Sequence, residues 1–277
     1  MSSLQNNPLK QYFRRPAVYL TLPSNGKFYA EGVIKQRETA ELPVFPMTAI
    51  DEITIRTPDA LFNGDAMAQL IKSCVPDIAK PWEINSIDLD AILIAIRSAS
   101  GENNMDMDST CPKCNEVNSY TIELHKVLPQ LKCPDFDQTL QINNLQVKFR
   151  PLTYKELNQV SLDQFTVQRT FAGLESITDE DERRKQTQNA VRLVTDITMK
   201  LVSTAIQYID TGDTRVEDKS FILDFLVNCD KDTYIQVRDF TTKLRESTQI
   251  KPMHISCPNC QHEYDQPFTL NMSDFFG

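Results

Sequence analysis

Two short segments hold most of the chemistry open to this chain. Cys111-Pro-Lys-Cys114 and Cys257-Pro-Asn-Cys260 are Cys-x-x-Cys pairs, and two such pairs supply the four thiolates that close a tetrahedral zinc site. Their flanks repeat as well. Met107 and Met253 stand four residues before the first cysteine, Thr110 and Ser256 one before, Ile122 and Phe268 eight after the second, and Leu124 and Leu270 ten after. One unit is thus used twice: an incoming strand, a knuckle and an outgoing strand. Two such units facing each other across an ion make a zinc ribbon, here split by an insertion of roughly 140 residues where ordinary ribbons have about 15 to 20. The expected metal ligands are Cys111, Cys114, Cys257 and Cys260, with one structural Zn2+ per chain. The alternatives are two unrelated turns in a metal-free fold, or a redox dithiol. A redox pair usually sits where a strand meets a helix, whereas strand-like sequence follows each pair here. Catalytic zinc keeps a position open for water, and four thiolates leave none. His262 could replace a ligand but reads better as a solvated knuckle residue. Cys74, Cys133 and Cys229 occupy or flank apolar stretches and read as buried thiols.

Other chemistries lack their residues. The 7 glycines come no closer than Gly26 and Gly32, which excludes both the dinucleotide turn and the phosphate-binding loop. The 3 histidines form no metalloprotease pattern, and no nucleophile elbow occurs. Net charge is −9, the wrong sign for a surface that grips phosphate backbones. Acids outnumber lysines around both knuckles, so a nucleic-acid adaptor is a lesser alternative. The longest apolar run, Ala91 to Ile96, is far short of the roughly 20 residues of a membrane span. No apolar signal core opens the chain, and seven cysteines without one point to a reducing compartment. Asp51-Glu52, Asp88 with Asp90, and Asp179 to Glu182 read as helix-start acids or solvated faces. An enzyme is not expected.

The elements that must hold the knuckles follow from pattern. Residues 1–15, polar and carrying Lys10, Arg14 and Arg15, read as a flexible arm that orders on a partner. Residues 16–104 read as a small β and helical domain. Val18, Leu20 and Leu22 alternate, Pro23 to Gly26 turns the chain toward Phe28 and Tyr29, and Glu41 to Phe45 and Ile53 to Ile55 are further strands. Thr57-Pro58-Asp59 starts a short helix, Asp65 caps another, and Asp88 opens a third that is apolar nearly all round. Residues 105–152 hold the first knuckle and a hairpin turned at Asn143-Asn144. Residues 153–250 read as a helical insert, a lobe with its own core. In it one helix of roughly 30 residues, about 45 Å long, runs from Asp179 through Ala205 and Tyr208 to a break at Gly212. Residues 251–277 hold the second knuckle and a tail whose Phe275 and Phe276 form a candidate aromatic anchor. The fold class is α+β: a small N-terminal domain, a split zinc ribbon and an inserted helical domain.

The order of segments carries a further signal. Leu22-Pro-Ser-Asn-Gly-Lys-Phe-Tyr29, Pro46-Met-Thr-Ala-Ile-Asp-Glu52 and Thr57-Pro-Asp-Ala-Leu-Phe-Asn-Gly64, followed by Cys-Pro-x-Cys, resemble the baseplate hub proteins of contractile-tailed bacteriophages. The resemblance is specific over about residues 16–125; beyond them only the second knuckle and the Phe-Phe ending match. It implies a non-enzymatic structural or assembly component of the tail baseplate hub, without catalytic residues. Its expected partners are other hub proteins, with no small-molecule substrate, and its expected place is the virion tail, reached from the host cytoplasm during assembly. The alternative within this reading is an assembly chaperone absent from the finished particle. Arg14, Arg15, Phe275 and Phe276 are the candidate partner contacts.

Overall fold

In the computed structural model, which describes residues 7–35, 40–57, 64–174, 179–247 and 250–268, alternation sets the first pairing. Strand β1 (Val18–Thr21) runs antiparallel to β2 (Glu41–Val44), with Leu20 opposite Leu42 on the buried side. The turn at Ser24 to Gly26 does not return through Phe28 and Tyr29 as expected. The return strand is β2, and residues 22–35 between them run through turns to a single bridge from Ile34 to Ile78.

The expected strand at Ile53 to Ile55 is also corrected, because these residues close helix α1 (Ala49–Ile55). Thr48 N–H donates to Asp51 Oδ2 at 2.8 Å and Asp51 N–H to Thr48 Oγ1 at 3.2 Å. This reciprocal cap satisfies free N–H groups at the helix start and overrides the β preference of the isoleucines. Of the expected start at Thr57-Pro58-Asp59, residues 58–63 lie outside the described residues. Helix α2 (Asp65–Cys74) begins on Gly64, which takes φ +82°, and α3 (Ser86–Ala99) is buried nearly all round. Leu20, Val44, Met67, Ile71, Ile92 and Ile96 form the centre of a first core.

The knuckle hairpins stand on this core. Strands β3 (Asn104–Thr110) and β4 (Val117–Glu123) pair antiparallel and lead into the short helix α4 (Leu124–Val127). Met105, Ile122, Leu124 and Val127 join the core, and so does Phe268 from beyond the second knuckle.

A second core lies under a four-stranded antiparallel sheet. The expected hairpin, β5 (Thr139–Ile142) and β6 (Leu145–Phe149), turns with Asn143 at φ +51°. Two long helices follow, α5 (Tyr154–Leu174) and α6 (Glu180–Ala205), which lie antiparallel. The chain then enters β7 (Ile206–Asp210) and β8 (Arg215–Val216), giving the strand order β5-β6-β7-β8. Helices α7 (Lys219–Asn228) and α8 (Lys231–Glu246) complete the lobe, around Val147, Phe149, Ile206, Ile209, Ile222 and Val237.

The long helix is therefore 26 residues and stops at Ala205, short of the expected end. Ile206 and Ile209 fit either period, but as a strand they bury against the core while β7 bonds the backbone of β6, with Phe149 opposite Ile206 and Gln146 opposite Asp210. Those polar groups need partners, and the pairing meets that need. Residues 153–250 are thus not wholly helical, and one sheet joins residues on both sides of the expected boundary at 152/153. The lobes meet where Tyr154 N–H donates to Ile84 O at 2.7 Å, Ser86 N–H to Leu152 O at 2.7 Å, and Tyr154 stacks on Trp82 at 5.0 Å. The chain returns to the first core through β9 (Met253–Ser256) and β10 (Glu263–Gln266).

Candidate metal centre

The duplication in sequence is a duplication in geometry. In the first knuckle Cys111 N–H donates to Glu116 O at 2.9 Å, and Asn115 N–H to Cys111 O at 2.9 Å. In the second, Cys257 N–H donates to His262 O at 2.9 Å, and Gln261 N–H to Cys257 O at 2.8 Å. Asn115 and Gln261, each one past the second cysteine, both take φ +58°, a left-handed turn that is uncommon outside glycine. That turn folds each outgoing strand back on its incoming one and leaves both sulfurs of a pair on one side.

The two pairs face each other. Cys111 Sγ lies 3.6 Å from Cys260 Sγ, and Cys114 Sγ 3.7 Å from Cys257 Sγ. All four sulfurs fall within 4.8 Å of one another. A tetrahedron with metal–sulfur bonds of about 2.3 Å has edges of about 3.8 Å, which the two closest cross-pairs match. Cys111 and Cys257 are buried, Cys114 and Cys260 half-buried. The backbone N–H groups of Cys260 and then Asn259 outweigh burial and lower the Cys257 thiol to about 6. At Cys111 burial opposes the thiolate, but the N–H groups of Cys114 and Lys113 prevail and lower it. The Glu116 N–H favours the Cys114 thiolate, yet burial and the neighbouring sulfurs push this thiol up to about 12. Four crowded sulfurs with inward N–H groups are a donor set that a thiophilic cation satisfies.

Around the sulfurs the hairpins bond directly. Ser109 Oγ donates to Gln266 Oε1 at 2.6 Å and lies 3.0 Å from the Tyr264 hydroxyl, and Tyr120 O–H donates to Ser256 O at 3.2 Å. Asn118 Nδ2 reaches Cys257 Sγ at 3.6 Å. Sequence reasoning missed this polar seam, because nothing in residue type distinguishes Ser109 from a surface serine. His262 stacks on Tyr264 and stays out of the four-sulfur cluster.

The other expected contacts are placed differently. Arg14 is no free arm residue: it donates to Pro46 O at 2.5 Å, to Ser73 O at 2.9 Å and Ser73 Oγ at 2.8 Å, and pairs with Asp51 at 3.3 Å. It pins the 3-10 turn Pro8–Tyr12 to the first core, while Arg15 is exposed. Phe275 and Phe276 lie outside the described residues. Asp88 stands in the first turn of α3 as expected but is fully buried rather than solvated. It accepts from Ser24 N–H at 2.8 Å, Ser24 O–H at 2.5 Å and Tyr29 O–H at 2.7 Å. Those bonds favour the carboxylate, but burial outweighs them and raises its pKa. The segment Leu22 to Tyr29 is therefore tied to α3 by one carboxylate. Of the expected buried thiols, Cys74 is buried and Cys133 and Cys229 are half-buried. Among the described residues no helix is long and apolar enough to cross a membrane. No curated protein and no solved structure matches the chain significantly. Residues 20–277 match the family described as T4 bacteriophage base plate protein.

Proposed function

The chain belongs to the T4 bacteriophage base plate protein family, and on that premise we propose that it works in the baseplate hub with one structural Zn2+ clamped by Cys111, Cys114, Cys257 and Cys260. It is a non-enzymatic structural or assembly protein of the phage tail, and its partners are other tail proteins. The observation that carries the hub reading is the reach of the match, which takes in both cores and both knuckles. Zinc supplies a redox-inert cross-link. The chain's part is to present four sulfurs at tetrahedral spacing and to aim backbone N–H groups at them. That cross-link closes the base of the second lobe and fixes how it stands on the first.

Partner contacts follow from exposure. Leu9, Tyr12 and Phe13 lie open beside Arg15, and this surface, held by Arg14, is the proposed docking edge. Phe275 and Phe276 are proposed as a second, aromatic contact. An assembly chaperone absent from the particle is the nearest rival, and a nucleic-acid adaptor a more distant one.

Protein composition of purified virions separates the first two, since the hub reading requires this chain in the particle. Elemental analysis should return one zinc per folded chain. A folded sample without metal, or an unchanged virion lacking the protein, rejects the corresponding half of the reading.

A further inference from the structure

The bonds around Asn118 run from one half of the metal centre to the other. Asn118 stands four residues after Cys114 on β4, the place that Tyr264 holds after Cys260 on β10. Both side chains cross to the opposite hairpin. Tyr264 meets Ser109, with 3.0 Å between the hydroxyl oxygens, whereas Asn118 Nδ2 lies 3.6 Å from Cys257 Sγ. The duplication is thus unequal at this position: the first half lends the second a donor aimed at a sulfur.

The whole amide is committed. A side-chain amide carries two N–H donors and a carbonyl acceptor. Asn118 Nδ2 donates to Glu116 O at 3.2 Å as well as to Cys257 Sγ, and Oδ1 accepts from Asn259 Nδ2 at 3.4 Å. Turned over, the amide would set its oxygen against a carbonyl and a sulfur, so the network fixes which way it points. Glu116 O in turn accepts from Cys111 N–H at 2.9 Å. One chain of bonds therefore joins Cys111, a ligand of the first pair, to Cys257, a ligand of the second, without passing through an ion.

We propose, on the premise that the four cysteines hold zinc, that Asn118 is a positioning residue of the metal centre: it aims the Cys257 sulfur and, through its N–H, sets how tightly the ion is held. Four thiolates on a divalent cation leave an excess of negative charge, which N–H groups aimed at the sulfurs spread. Backbone N–H groups do this within each knuckle. Asn118 does it across the hairpins, from a half-buried position where a bond to a charged sulfur is stronger than one between neutral groups. Because this donor is a side chain, one substitution removes it and leaves all four sulfurs and every backbone N–H in place.

The test is chelator competition for Zn2+ on the full-length chain, with Co2+ as a spectroscopic stand-in. Wild type and Asn118→Ala should each bind one ion, the variant with a dissociation constant about ten- to a hundredfold higher. Asn118→Asp keeps the shape and the acceptor for Asn259 but replaces the donor by a charged oxygen, so it should bind more weakly still. Asn259→Ala removes a bond that misses the sulfur and should change the constant less than about threefold. In the Co2+ form of Asn118→Ala the sulfur-to-metal charge-transfer band should move to lower energy, since a sulfur relieved of an N–H gives up charge more readily. A mere packing role predicts the reverse order, with the isosteric Asn118→Asp closer to wild type than Asn118→Ala, and leaves the band where it was. Either of those results, or wild-type affinity in both variants, overturns the proposal and spares the zinc reading. Folded wild type that binds no ion overturns the zinc reading and this proposal together. Hydrogen exchange of α3 and β6 reports that the variants stay folded, and if Asn118→Ala does not, Asn118→Asp against Asn259→Ala carries the test.

Discussion

Replacing Cys257 by serine removes one of four sulfurs at the base of the second lobe, and the structure says what is left to hold the segment. A cross-link between the knuckles closes a loop of roughly 140 residues, which by chain entropy is worth on the order of 5 kcal/mol. Once the ion is lost, the knuckles keep the bonds from Ser109 to Gln266 and Tyr264, from Tyr120 to Ser256, and from Asn259 to Asn118. At about 1 kcal/mol each, and less where exposed, these four contacts only approach the cost of closure. Ile250 and Phe268 remain in the first core and add about 2 kcal/mol apiece. The sum exceeds the closure cost by only a few kcal/mol, a margin that ordering the backbone of segment 251–268 consumes, so the segment should sit near balance between docked and detached while both cores stay folded. A bound structural zinc contributes on the order of 10 kcal/mol, enough to move that balance wholly to the docked side. Hydrogen exchange read by mass spectrometry should show protection of β9 and β10 lost in Cys257→Ser and in chelator-treated wild type, with α3 and β6 unchanged. Equal protection of β9 and β10 in the metal-free protein would refute the reasoning.

Four further substitutions have expected outcomes. Arg14→Ala should cost about 2 kcal/mol in urea unfolding, since it strips bonds from Pro46, Ser73 and Asp51. Arg15→Ala should cost under about 0.5 kcal/mol and show itself only in weaker association with tail partners. Gly64→Ala should lower stability by about 2 kcal/mol, read as a drop in Tm: its φ is +82°, and a Cβ would lie 2.7 Å from Asn158 Oδ1 and 2.9 Å from Trp82 Cη2. Asp88→Asn should cost about 3 kcal/mol by losing acceptors for Ser24 and Tyr29. Burial raises the folded pKa of Asp88 above 3.8, so the folded state holds its proton longer than the unfolded one. The Asp88 contribution is then fullest below that pH and falls as pH rises through the folded value. Stability curves of wild type and Asp88→Asn against pH should differ by that slope, and parallel curves would contradict it.

The centre was legible because its chemistry is local: two cysteines three apart, a proline between them and a repeated flank locate each half without knowledge of the other. Helix α3 and the hairpin at Asn143 were legible for the same reason, one from an apolar run behind a cap, the other from alternation around Asn-Asn. The change from helix to strand at Ile206 was not. Ile206 and Ile209 are three apart and satisfy a helical stripe, and only the waiting edge of β6, over fifty residues away in the chain, decides between the periods. Asp88 failed similarly, since a carboxylate in the first turn of a helix is usually solvated, and its burial depends on Ser24 and Tyr29 arriving from a distant loop. Arg14 reads as part of a polar arm until Pro46, Asp51 and Ser73 surround it. Each miss is a residue whose role is set by partners remote in sequence.

The separation of the two knuckles also sets an order in time. A ribosome adds about 5 to 20 residues per second, so the first cysteine pair emerges well before the second and waits roughly 7 to 30 seconds as half a site. During that interval the strands and helices of the second lobe leave the ribosome and can pair with what is already folded. The four-sulfur cluster cannot be complete until Cys260 has been made, after the strands and helices of the second lobe. Closure of the cluster thus follows the second lobe, and an ion taken up there would register that the whole of that lobe has been made.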